Sequence, residues 1–450
     1  MACKLLVRET GCVSLLRRAK LDAVSRRPPT NAVTVSTVLV VMALLATACT
    51  GADGGQLGSR AAKTERPTVA DGNQPSVEVV APPAPTRSRV VLPKPLKAVW
   101  VHLFDDALKS RDGMERVLDD AASAGMNAVF VQVLRRHDAY YGSQALPRTS
   151  DPALAPGFDV LAAAVDGGHA RGMQIHAWFT VATAWHDTYR DVELPAGHIT
   201  RDHGPGAADS WMTVSRTGAQ SRDYFDIGLP ELQEHVSGIV TDIAGRYAVD
   251  GVHLDYVRYD GPQWGFHPRA LQRFTAETGY QGVPASGDRV WADWRRAQSR
   301  AIVEQAGIAL AKARPQALLS AAVIAQGVGP GEAAGGFAGT RAYTDYAQDW
   351  AGWVSDGLLD LAVPMAYMRE SVTEQARWYR QWLAFASELD HEPVGAAVAV
   401  GLGGWLNTVA GGLAQAREAL SRTAGVAVFS YQQDSSDRAR GSFLRELGGL

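Results

Sequence analysis

The segment Asp250-Gly-Val-His-Leu-Asp-Tyr-Val-Arg-Tyr259 brings an imidazole, a carboxylate, a guanidinium and two phenols into one short run. On an extended strand alternate side chains share a face. His253 and Asp255 therefore point one way, and Val252, Leu254 and Tyr256 the other. A carboxylate so placed can act as nucleophile or general base, and Arg258 nearby would help keep it ionised. The plainer alternative is a buried Asp255–Arg258 ion pair that only organises the strand end. The clustering of His253, Asp255, Arg258 and the tyrosines favours chemistry. Other chemistries lack their residues. There is no G-x-S-x-G elbow, no G-x-G-x-x-G and no Walker A pattern, and the glycine-rich run Gly327–Phe337 has no Lys. His176 and His253 have no third ligand at motif spacing, so they read as interior histidines and no metal is expected.

These residues need a frame. From Lys97 onward short apolar runs alternate with longer amphipathic stretches. Strands are predicted at Ala98–His102, Asn127–Val133, Gln174–Phe179, Gly251–Tyr259, Leu318–Ala325, Asp360–Ala366, Val394–Val400 and Gly425–Tyr431. Their near-continuous apolar character is that of parallel strands buried on both faces. Helices are predicted at Asp112–Ala124, Phe158–Arg171, Glu231–Tyr247, Arg289–Arg314, Asp345–Asp356, Thr373–Glu388, Thr408–Arg422 and Ser436–Leu447. In the third, Leu232, Val236, Ile239, Val240 and Ile243 recur on one face, and Gly125 and Gly172 suit left-handed caps after the first two. Eight strand–helix pairs define an α/β protein with a single (β/α)₈ TIM barrel, with a doubly wound open sheet as the alternative. The two longest connections, about 180–230 and 260–288, both follow strands and so fall on the C-terminal face, where barrel active sites are built.

The chain has 450 residues, 44 Lys+Arg, 47 Asp+Glu and three Cys. This near-balance leaves no basic footprint for nucleic acid. Residues 1–48 read as a signal peptide: basic residues from Lys4 to Arg27, an apolar run from Val33 to Ala48, then Ala46-Thr-Ala48 before Cys49. That run is shorter than the roughly 20 residues a spanning helix needs. The small residues before Cys49 resemble a bacterial lipobox, which implies lipidation of Cys49 and anchoring to the outer face of the cell membrane; an ordinary cleaved signal, giving a secreted protein, is the alternative. Cys3 and Cys12 precede the cleavage point, so no internal disulfide or thiol nucleophile is expected. Residues 49–95, with Ala81-Pro-Pro-Ala-Pro-Thr86, read as a flexible linker, and 96–450 as the barrel.

An ordered set of segments carries a resemblance: Lys97-Ala-Val-Trp-Val-His102, Ala128-Val-Phe-Val-Gln-Val133, Asp138-Ala-Tyr-Tyr-Gly-Ser143, Asp226-Ile-Gly-Leu-Pro-Glu231, Asp250–Tyr259, Trp294-Arg295-Arg296 and Val363-Pro-Met-Ala-Tyr367. Across about residues 96–435 the chain resembles the glycosyl-hydrolase-like 10 family of exported bacterial barrels. The resemblance implies a glycoside hydrolase acting on a polysaccharide, with peptidoglycan glycan strands as leading substrate and a non-catalytic glycan-binding lipoprotein as the alternative. No cofactor and no obligate protein partner are implied. Where the family often has two consecutive acids, this chain has Asp255-Tyr256. Glycoside hydrolysis normally uses two carboxyl groups, roughly 5–5.5 Å apart for retention or 6.5–9.5 Å for inversion. Asp255 is the first catalytic candidate. Glu370 is the first choice for the second, as general acid, and Asp105 or Asp106 the next. His102, Gln132, Arg135, Trp178, His253, Arg258, Tyr367, Tyr431 and Gln433 are the expected substrate contacts, because aromatic faces stack on sugar rings and amide or guanidinium groups bind hydroxyls.

Overall fold

The computed structural model describes residues 91–104, 106–185, 192–390, 396–431 and 438–450. The signal peptide, Cys49, nearly all of the linker, Asp105 and Gln433 lie outside the described residues. Ten strands run in chain order: β1 Leu96–Val101, β2 Ala128–Leu134, β3 Gln174–Thr180, β4 Met212–Val214, β5 Gln220–Phe225, β6 Gly251–Asp255, β7 Leu318–Ile324, β8 Leu361–Met365, β9 Ala397–Gly403 and β10 Gly425–Phe429. Eight close into a parallel barrel in the order β1-β10-β9-β8-β7-β6-β3-β2, while β4 and β5 form a separate antiparallel hairpin. The helices are α1 Arg111–Ser123, α2 Val160–Ala170, α3 Ile199–His203, α4 Pro230–Arg246, α5 Pro268–Thr278, α6 Arg289–Ala313, α7 Arg341–Thr344, α8 Trp350–Ser355, α9 Thr373–Asp390, α10 Val409–Leu420 and α11 Arg438–Gly448. The (β/α)₈ expectation is met, and the open sheet is excluded by closure of β1 onto β10.

Strand parity sorts the core into two. Ala98, Trp100, Ala128, Phe130, Trp178, Ala322, Leu361, Val363, Ala399 and Ala427 fill the barrel. The alternate residues, such as Val99, Val101, Val129 and Val131, pack outward against the helices. The helical stripe Leu232, Val236, Ile239, Val240 and Ile243 is wholly buried on α4. Local chemistry fixes the helix ends: Ser110 and Asp159 accept from the Gly113 and Ala162 amides at the starts of α1 and α2. Gly125 and Gly172 follow those helices at φ 66 and 72, as their type predicts.

Three departures have local causes. The strand expected to reach Tyr259 stops at Asp255, because Tyr256 turns into the left-handed region at φ 55. The helix expected from Asp345 begins at Trp350, after Ala347 at φ 50 and with Asp349 as its cap. The long connections also hold the β4–β5 hairpin and α5, which periodicity did not reveal. The ends of α5 carried their signals: Pro268 at its first turn and Gly279 as a left-handed cap.

Candidate active site

Gly251, His253 and Asp255 project into the barrel from β6, at three depths. At the bottom, Gly251 leaves the space taken by the His176 ring. His253 sits above it, fully buried and stacked on Phe130 at 4.2 Å. The Trp100 indole N–H donates to His253 Nε2 (3.1 Å), so Nδ1 carries the proton and donates to Ser320 Oγ (2.8 Å). Burial holds this imidazole well below its ordinary pKa. The expectation that His253 contacts substrate is therefore corrected. Both of its nitrogens are engaged within the barrel floor.

Asp255 is the last residue of β6 and faces the mouth, 6% exposed. Its Oδ2 accepts from Trp178 Nε1 (3.3 Å) on the neighbouring β3; its Oδ1 accepts from the Tyr256 amide (2.7 Å) and Arg258 Nη1 (3.4 Å). The Arg258 guanidinium lies 4.0 Å above the Tyr256 ring, which fixes where the charge sits. Burial raises the Asp255 pKa above the usual carboxylate value; Arg258 and the hydrogen bonds only partly offset this. Such a group can both hold and release a proton at a reacting oxygen. Removing the guanidinium as Arg258→Met should raise the Asp255 pKa further, since its charge is what most offsets burial. The carboxyl ¹³C titration measures this, and an unmoved curve would show that Arg258 exerts no hold on the charge.

The rest of the expected set divides. His102 lines the same end of the barrel; its Nδ1 accepts from the Phe104 amide (3.2 Å). The Arg135 guanidinium covers Phe104 at 3.3 Å. Gln132 Oε1 accepts from the Leu103 amide (2.9 Å), bracing the chain as it leaves β1. Tyr367 stacks on Phe429 (6.0 Å) and meets Trp405 edge-on (5.3 Å), while Phe429 reaches Trp178 at 6.2 Å. Phe429, Trp405 and Phe104 are site residues that sequence reasoning missed, as is Tyr224, whose ring lies 6.1 Å from Tyr256.

Two candidates face the helix layer instead. The Tyr431 hydroxyl donates to Asp120 on α1 (2.7 Å), because β10 ends at Phe429 and alternation is lost beyond it. Glu370 accepts from Arg380 Nη2 on α9 (2.7 Å) and Gln415 Nε2 on α10 (3.1 Å), and Arg380 also holds Glu418 (2.8 Å). That carboxylate is committed to the outer helices and does not join Asp255. The alternative Asp106 is 77% exposed and pairs with Lys109 at 3.2 Å. Among the described residues no group of three His, Cys, Asp or Glu is placed to hold a metal ion.

Two other sequence segments meet in a second buried polar centre. Asp226 accepts from Thr213 Oγ1 (2.8 Å) and the Gly228 amide (2.9 Å). Arg295, wholly buried, donates to Gly261 O (2.8 Å) and lies 4.3 Å over the Tyr259 ring. Burial raises the Asp226 pKa and lowers that of Arg295 to about 10, each partly offset by the other's charge. This centre ties the hairpin and α6 to the turn that follows Asp255; it braces the site rather than lining it. Grooves of about 700 and 660 Å³ lie elsewhere, one between Pro330–Phe337 and α9, the other beside the hairpin and α5. Neither includes Asp255, so side-chain chemistry and not cavity size marks the site.

Relatives with this sequence pattern are known. The chain is 28% identical over 330 residues to glycosyl hydrolase DigH of Escherichia coli K12, covering 65% of this chain and 71% of DigH. It is 26% identical over 289 residues to glycosyl hydrolase YngK of Bacillus subtilis, covering 60% of this chain and 54% of YngK. The match thus spans about half the length of YngK. Among solved structures, the glycoside hydrolase domain of PgaB (BpsB) from Bordetella bronchiseptica superposes with a TM-score of 0.54 at 15% identity, over 78% of this chain and 98% of that one. The catalytic domain of a Paenibacillus polymyxa β-amylase also gives 0.54, at 11% identity, over 79% of this chain and 99% of that one. These two likenesses show the fold. Residues 95–402 match a family profile from just before β1 to near the end of β9, and on that match the chain belongs to the Glycosyl hydrolase-like 10 family.

Proposed function

We propose that this protein is an exported glycoside hydrolase, anchored by lipid at Cys49 on the outer face of the cell membrane, that cleaves glycosidic bonds in a polysaccharide. The observation that carries the reading is Asp255, turned into the barrel mouth between Trp178, Tyr256 and Arg258. In this reading Asp255 transfers the proton at the glycosidic oxygen or at the attacking water. Water adds to the anomeric carbon, the leaving sugar takes a proton, and no cofactor enters the balance. The family membership supports hydrolysis, and an envelope-anchored chain supports peptidoglycan glycan strands as substrate, with capsular or environmental polysaccharide next.

The test is incubation of the purified protein with peptide-free peptidoglycan glycan strands, with products identified by mass spectrometry and Asp255→Asn alongside. Shortened saccharides that vanish in the variant support the reading. A non-catalytic glycan-binding lipoprotein is the second reading, favoured by the engagement of Glu370 with Arg380. Intact strands that bind equally to both proteins would establish it.

The wall of Tyr367, Trp405 and Phe429 would stack on sugar faces. Trp405→Ala is then expected to raise KM about ten-fold with kcat little changed, the scale of one lost aromatic contact. An equal fall in kcat would instead place Trp405 in the chemistry.

A further inference from the structure

Beyond the Asp255 mouth, histidines gather where the loop after β2 meets the long β3–β6 connection and α4. His137 is fully buried and held at φ 64. Its Nδ1 lies 3.1 Å from Nε2 of His235 on α4. One proton satisfies that contact, and a second has no place in it. His198, also fully buried, accepts at Nδ1 from Thr200 Oγ1 (2.8 Å) and the Thr200 amide (3.2 Å). The Nε2 atoms of His137 and His198 are buried without a hydrogen-bond partner among the described residues. A fourth ring, His203, stacks on Trp211 at 4.1 Å, and Trp211 in turn meets His235 at 6.4 Å.

The surrounding charges only partly offset burial. On the β2 loop, Asp138 favours a charge on His198 and Arg136 opposes it, and the two pair with each other at 2.7 Å. From the long connection come Arg201, also facing His198, and His203, which meets Asp209 at 3.1 Å. On α4, Glu231 is held by Arg269 at 2.9 Å. Burial and mutual repulsion keep His137 well below the ordinary imidazole pKa and lower His235 to about 4; burial lowers His198 to about 4.

We propose that His137, His198 and His235 form an acid-released latch: neutral, they fasten the β2 loop to the long connection and α4; protonated, they let it go. Arg135, two residues before His137, covers Phe104 beside the mouth, so release loosens one wall of the site. The direction follows from proton binding. Each imidazole titrates lower when the latch is shut than when it is open, where the value is near 6.5. The shut form is therefore fully favoured above that value and is lost as pH falls from 6.5 toward about 4. Each histidine multiplies the open-to-shut ratio by about ten per pH unit within that window.

Hydrogen exchange of the full-length chain at pH 7 and pH 5, corrected for intrinsic rates, tests this without any substrate. Residues 135–140 and 198–203 should lose protection by at least about ten-fold on acidification, while β7 stays protected. His235→Gln, on a half-buried helix position, should flatten the response. His137→Asn should do the same, since Asn tolerates positive φ. Unchanged protection at pH 5 would overturn the latch. So would an equal loss in β7, which marks global acid unfolding, or an equal response in both variants. Imidazole proton shifts of the three residues give a second reading, and titration near the free value would also overturn it.

Discussion

Asp255→Asn is expected to lower glycan cleavage by about 10³-fold, the middle of the range for losing a positioned acid or base. The substitution keeps shape and volume, and its amide oxygen can still accept from Trp178 or from the Tyr256 amide. It removes the one property that chemistry needs, the exchange of a proton at a site whose burial already raises the carboxyl pKa. Stability should fall as well, by about 3 kcal/mol, because the substitution leaves the buried Arg258 guanidinium without its anion. The thermal midpoint, measured beside the rate, separates the two effects. Cleavage that survives the substitution would return Asp255 and Arg258 to the role of an ion pair that organises the barrel end.

Gly251→Ala is expected to cost about 3 kcal/mol of folding stability, the upper end for overpacking a core. An added Cβ would stand 2.2 Å from His176 Nδ1 and 2.9 Å from Leu318 O. Neither neighbour can yield. His176 is fully buried against Phe130 at 5.2 Å, and Leu318 is the β7 partner of Gly251 in the barrel ladder. The urea midpoint should fall at constant slope. Gly238→Ala is the matched control: it lies on α4 with open space where the methyl would go, so it should be neutral or slightly stabilising. Equal midpoints for the two variants would show that the barrel floor can relax.

The sequence made the barrel legible because its period is written twice, once in apolar strands and once in helical stripes. It also placed Asp255 on the inward face of β6, where the structure has it. Directions beyond the strand ends were not legible. Tyr431 follows the parity of Ala427 and Phe429 on paper, yet the strand stops at Phe429 and the phenol turns to Asp120. Glu370 lies three residues past Tyr367, near enough to β8 to suggest the mouth. What claims it are Arg380 and Gln415, distant in sequence and brought close only by helix packing. His253 was read as a mouth residue because parity reports a face and not a depth; its partners Trp100 and Ser320 set the depth. Phe429 carried a usable signal, an aromatic at the inward parity of the last strand.

The seam between β3 and β6 has a consequence in time rather than in space. Trp178 and Asp255 are neighbours across it, although 77 positions separate them in the chain. By contrast the β7–β8 seam joins residues 41 apart, as in the bond from the Leu319 amide to Asp360. Loop-closure entropy grows slowly, by roughly 0.6 kcal/mol per doubling, so the detour barely alters final stability. It does delay assembly, because distant pairings form only after their loops have been closed. The carboxylate's surroundings therefore come together late. A chain halted before that seam zips would own nearly all its strand–helix units and still have nothing to react with.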